Sequence, residues 1–256
     1  MLRMWLVLVL PLANAAWGQA PVYSAGTIVN APNYAPGPFA PNSILSIFGS
    51  GLARSSQGVT AGDISNNTLP VQLNSTRVYV LDEPAPLLYV SDGQVNFLVP
   101  GDQLDGDVTI RVVREGVTGP KVTVTLVDGA PALFQTADGY AIAAHVDNST
   151  IAPGSPAQAG ETIVVYACGL GRTQPNPAPG AIPQNAAVIQ GLSNLTVYLG
   201  GTAIDPASIL YAGVTPGSAG LYQINLVLPN NLGTDPEIRV AIAGQSSPPG
   251  LKLAVQ

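Results

Sequence analysis

The chain has 256 residues, 46% of them hydrophobic and only 9% charged, and carries a net charge of −6. With no basic excess to neutralise phosphates, a nucleic-acid binder of the usual electrostatic kind is excluded. The single cysteine, Cys168, excludes an internal disulfide, and 28 glycines with 24 prolines imply many turns and few helices while staying below the share that marks a disordered chain.

Residues 1–20 read as a secretory leader. Arg3 supplies a positive start, Trp5 to Leu12 an apolar core, and small residues follow at Ala13 and Ala15 or at Gly18 and Ala20. The apolar run is too short to span a bilayer. A cut after Ala20 would leave Pro21 at the next position, which is unfavourable, so cuts after Ala15 or Ala16 stay open. No cysteine follows to carry a bacterial lipid anchor. The expected body is exported and soluble, secreted or placed in a bacterial cell envelope, with no membrane span once the leader is removed.

The rest of the chain contains its pattern twice. Ile47-Phe48-Gly49-Ser50-Gly51-Leu52 lines up with Val165-Tyr166-Ala167-Cys168-Gly169-Leu170, Val78-Tyr79-Val80 with Val197-Tyr198-Leu199, and Leu88-Tyr89 with Leu210-Tyr211. Gln94-Val95-Asn96-Phe97-Leu98-Val99-Pro100 returns as Gln223-Ile224-Asn225-Leu226-Val227-Leu228-Pro229. The spacing between copies grows along the chain, so the second copy carries insertions, notably in 213–220, and insertions belong in loops.

Strand periodicity dominates. Val95, Phe97 and Val99 fall on one face of their segment and Gln94, Asn96 and Leu98 on the other, and Ile224, Leu226 and Leu228 repeat the apolar face. Thr109–Val112 and Glu237–Val240 give the next strand of each copy. Turn signals at Glu115-Gly116 and Ala243-Gly244 then return the chain as Lys121–Leu126 or Leu251–Val255. Copies of about 110 residues built from short strands match an immunoglobulin-like sandwich. The expected fold is all-β, with two tandem immunoglobulin-like domains at 21–130 and 131–256 after the leader at 1–20. Leu133 and Phe134 in the short linker are expected to pack between the domains.

Ile44–Leu52 and Thr162–Leu170 resemble the strand-then-glycine opening of IPT/TIG immunoglobulin-like domains. More closely, the order of blocks resembles the uncharacterised C-terminal domain family of Solibacter-type acidobacterial secreted proteins. The residues that carry this are Pro41–Ile44, Ala85–Val90, Gln94–Phe97, Gly169–Gly171, Tyr211–Gly213 and Gly220–Asn225. The resemblance implies the fold and export; that family has no established catalytic residues, so no site is transferred.

The groups that carry chemistry are few. His145 is the only histidine, with Asp147 two residues on and sharing its strand face; without a second histidine or a cysteine cluster, zinc chemistry is not expected. No G-x-S-x-G elbow is present to mark a nucleophile. Cys168 takes the slot of Ser50 in the other copy and reads as a small buried filler, with Arg172 four residues away. Asp102, Asp105 and Asp107 surround a glycine-bearing turn and form a weak calcium candidate, although their spacing is not that of an EF-hand.

The four Asn-x-Ser/Thr sites at Asn66, Asn74, Asn148 and Asn194 read as turn residues. Gln94, Asn96, Gln223 and Asn225 are polar residues shared by both copies, read as scaffold support. Both tryptophans, Trp5 and Trp17, lie in or beside the leader, which argues against an aromatic platform for sugars; the tyrosines without a counterpart, Tyr23, Tyr34, Tyr140 and Tyr222, could still form a local patch.

The expected role is a non-catalytic exported module, structural or binding another extracellular or envelope protein, with no cofactor and no bound metal. A carbohydrate-binding module is the alternative, and a secreted hydrolase using carboxylates such as Glu161 and Asp147 the third reading. Any local site is expected where the copies differ, at 54–69, 172–191 and 213–220.

Overall fold

The computed structural model describes residues 19–256, so the charged start and apolar core of the leader lie outside the described residues. The strands form four sheets, and among the described residues the named strands on either side of 127–131 do not pair with each other. In the first half one sheet runs in the order Ile28–Asn30, Ile44–Phe48, Gln94–Leu98, Leu87–Val90, Gln57–Gly58. The other runs Val122–Leu126, Gly106–Arg114, Thr76–Val80, Glu83–Ala85. Alternation sends Leu45, Ile47, Val95 and Phe97 inward from the first sheet to meet Val78, Val80, Ile110 and Val112 from the second.

The second half repeats this plan. Thr162–Cys168, Tyr222–Val227 and Ile209–Val214 form the centre of one sheet, and Thr196–Leu199 with Ile238–Ile242 the centre of the other. Ile163, Val165, Ile224 and Leu226 oppose Val197, Leu199, Ile238 and Val240 in its core. The chain is thus a tandem of immunoglobulin-like β-sandwiches.

The duplication reaches local irregularities. A register shift between Leu87 and Tyr89 recurs between Ile209 and Tyr211, so the matched Leu-Tyr pairs mark the same bulge. Tyr79 stands opposite Arg111, whose guanidinium lies 4.4 Å from the ring centroid, and Tyr198 stands opposite Arg239. Both hairpin turns take left-handed conformations at two successive residues, with φ of 50° and 80° at Glu115-Gly116 and 51° and 75° at Ala243-Gly244, the geometry that follows strand twist.

Two expectations are corrected. The tail Leu251–Val255 is not a return strand: its backbone is shared among neighbours, with Leu253 N–H donating to Pro236 O and Ala141 N–H to Lys252 O, so no continuous ladder forms. Leu133 does not bridge the halves. It pairs with Ala167 and is buried in the second core.

The halves are joined instead by loops that differ between the copies. Leu69 N–H donates to Gly180 O at 2.9 Å, Ile182 N–H to Asn67 O at 2.9 Å, and Asn42 Nδ2 to Asn176 Oδ1 at 3.1 Å. Leu69 and Leu98 pack with Ala219 in a small apolar cluster of their own, flanked by Ile44, Leu88 and Ile182. Two glycines permit this approach. A Cβ on Gly180 would lie 2.7 Å from Pro86, one on Gly220 would lie 2.5 Å from Leu98, and both residues have φ above +70°.

Candidate functional site

His145 ends the short strand Ala143–His145, and the hairpin that follows brings Glu161 and Ser155 to it rather than Asp147. Its Nδ1 lies 2.5 Å from Glu161 Oε1, while Nε2 lies 3.3 Å from Ser155 O and 3.5 Å from Ser155 Oγ. Glu161 is oriented in turn by Gln158 N–H, which donates to its Oε2 at 2.8 Å. The Glu161 hydrogen bond raises the imidazole pKa above its ordinary value, against a smaller opposing effect of burial. A protonated ring donates through both nitrogens, to Glu161 and to Ser155 O. Through these contacts Glu161, His145 and Ser155 clamp the hairpin.

Asp147 turns away. It accepts from Ser149 N–H at 2.9 Å and Ser149 Oγ–H at 2.6 Å, and these bonds hold its carboxyl below the usual range.

The three acids of the calcium candidate separate. Asp107 accepts from Thr125 Oγ1 at 2.7 Å, whereas Asp105 faces Arg172 at 3.7 Å and Asp102 lies on the Glu83 side of the turn. Among the described residues no three His, Cys, Asp or Glu side chains converge to hold a metal ion.

Arg172 is the fastening cation between the halves. Its Nη1 also lies 3.2 Å from Asp128 and its Nη2 donates to Gln103 O. Burial, and then the neighbouring Asp128, raise the Asp105 pKa despite the arginine. Cys168 is fully buried, which pushes its thiol up to about 12, so Arg172 does not activate it.

The shared amides support the strands. Gln94 Nε2 donates to Asn96 Oδ1 at 2.8 Å, Ser46 Oγ donates to the same oxygen at 2.8 Å, and Gln223 Nε2 donates to Asn225 Oδ1 at 2.9 Å.

The unmatched tyrosines do not form a patch. Tyr23 is buried, donating to Pro120 O and accepting from Val112 N–H. Tyr222 is fully buried and donates to Gly171 O. Tyr140 donates to Asp235 at 2.9 Å, and Tyr34 alone is largely exposed, tilted against Phe48.

One open surface lies at the end of the second sandwich. A cleft of about 440 Å³ is floored by Leu199, Ile204 and Leu232 and rimmed by Asp205, Ser208 and Asn231. Its first-half counterpart is closed: Gln103 Nε2 donates to Glu83 at 2.7 Å, and Arg172 covers the same turn. In the second copy Thr202 and Leu232 stand in the places of Glu83 and Gln103 and both line the cleft. Leu210, two residues beyond Ser208, is 59% exposed, whereas its counterpart Leu88 packs into the junction. Only the loss of the Glu-Gln pair from the second copy marked this difference in the sequence.

No protein-family model matches the chain, and no curated protein matches it. Among solved structures it is similar to a surface glycan-binding protein, SGBP-B, of the Bacteroides ovatus mixed-linkage glucan utilization locus, bound to a heptasaccharide, at 13% identity and a TM-score of 0.33 over 98% of this chain and 48% of that one. It is also similar to the surface glycan-binding protein PbSGBP-B of Prevotella bryantii at 13% identity and a TM-score of 0.27, over 89% of this chain and 41% of that one. A titin fragment, A168169, aligns at 14% identity and a TM-score of 0.26, over 93% of this chain and 100% of that one. The chain spans about half the length of the first of these, or less than half of the second. Their ligands are properties of those proteins, and the sandwich assignment here rests on two pairs of facing sheets.

Proposed function

We propose that this is a non-catalytic exported module of two IPT/TIG-type sandwiches that binds another extracellular or envelope protein through the open end of its second half. One observation carries the reading. The corner that a glutamate-glutamine pair and Arg172 close in the first sandwich is an open, apolar-floored cleft in the second. His145, Cys168 and the shared amides have internal structural partners or burial, whereas this cleft, with exposed Leu210 close to it in sequence, offers a surface suited to a partner's side chains.

A binding screen of the mature protein against envelope fractions and soluble polysaccharides tests the reading. Saturable capture of one envelope protein, lost in Leu232→Arg and kept in an exposed-site control such as Leu81→Arg, is the expected result. Capture of a polysaccharide instead, or equal capture by both variants, would overturn it.

A further inference from the structure

We propose that the leader is cut after Ala15 and that Gln19 to Pro21 are working parts of the mature first sandwich. This rests on the export reading. Arg114 ends the strand Gly106–Arg114 and is only 4% exposed. Its Nη1 donates to Gly51 O and its Nη2 to Gln19 O at 2.5 Å, and its Nε has no partner among the described residues. A buried guanidinium depends on acceptors such as these two.

The residues that follow Gln19 are built into the same edge. Pro21 is buried, and a Cβ on Gly119 would lie 3.1 Å from the Pro21 side chain, so the two segments touch. Val22 exchanges backbone hydrogen bonds with Ser50 at 2.9 and 3.0 Å. Tyr23 then reaches across to Pro120 and Val112.

Peptidase acts on the exported chain before folding, so the choice between bonds lies in the sequence. Ala13-Asn14-Ala15 offers small residues at the two required positions, and Ala16 follows. Gly18-Gln19-Ala20 offers them too but puts Pro21 after the bond. The fold adds the consequence. A cut after Ala20 removes one of the two acceptors of Arg114 and places a new ammonium at Pro21, beside a cleft lined by Arg54, Asp92 and Arg114. A cut after Ala15 leaves Gln19 in the chain and puts the new terminus at Ala16, three residues before Gln19 in sequence.

The experiment has two arms. The full chain is expressed in an export-competent bacterium and the protein recovered outside the cytoplasm is read by intact mass and N-terminal sequencing. A start at Ala16 is expected; a start at Pro21 overturns the proposal while leaving export standing, and an uncut chain retained in the cytoplasm overturns both. In the second arm, chains made to start at Ala16 and at Pro21 are melted side by side. The shorter chain is expected to melt about 3 °C lower or more. That gap should close when both carry Arg114→Met, and equal melting of the two unsubstituted chains would contradict the role given to Gln19.

Discussion

Gln94 donates from Nε2 to the Oδ1 of Asn96 at 2.8 Å, two residues along the same strand, and Gln223 makes the same bond to Asn225 at 2.9 Å. Side chains two apart on a strand share a face, so a Gln-x-Asn pair can satisfy itself on the outer surface of a sheet. The repeated amides are therefore part of the duplicated framework.

The two asparagines are not equivalent. Asn96 also accepts from Ser46, which is 1% exposed, so Asn96→Ala leaves a buried hydroxyl without its acceptor. A loss of about 1–3 kcal/mol in urea unfolding is expected, and a smaller loss for Asn225→Ala. Equal losses would show that the Ser46 bond contributes nothing.

The His145 clamp makes stability depend on pH. Its folded pKa is raised, so its contribution is fully present below the unfolded value, about 6.5, and is lost as pH rises through the folded value. Since it is the only histidine, a fall in Tm over that window that is absent in Glu161→Gln would identify the pair. The reverse slope would refute the protonated clamp.

Cys168 should resist a thiol reagent in the native protein and react only on unfolding, because complete burial holds the thiol up near 12. Reaction within seconds in buffer, with no loss of structure, would contradict this.

Arg172→Ala should loosen the junction by leaving Asp105 and Asp128 facing each other without a cation. The Asp105 pKa is already raised, and the missing arginine raises it further, so the cost appears as pH rises through that value from about 4 toward 7. Urea unfolding of variant and parent should converge in acid and diverge near neutrality.

Much of the fold was legible because it is written twice. The Gln-x-Asn strand, the Leu-Tyr bulge and the Gly-ended hairpin turn are local patterns, and each recurs at its matched place. The tail at Leu251–Val255 misled because its apolar alternation persists while its hydrogen bonds are divided among separate segments. The site was less legible. Asp147 lies nearest His145 in sequence, yet Glu161 reaches it through the register that sets His145 opposite Ile163. The segments where the copies differ drew attention for a functional reason, but Gly180, Ala219 and Gly220 are spent on the junction, a long-range packing that no local pattern announces.

The most direct test of the central claim, that these differing loops fasten two like sandwiches into one body, is backbone ¹⁵N relaxation of the mature protein beside Gly220→Val. A side chain at that left-handed position would meet Leu98 and Ile44. The parent should give one tumbling time for residues of both halves, and the variant two shorter ones with both sandwiches still folded. Separate tumbling of the halves in the parent itself would contradict the account.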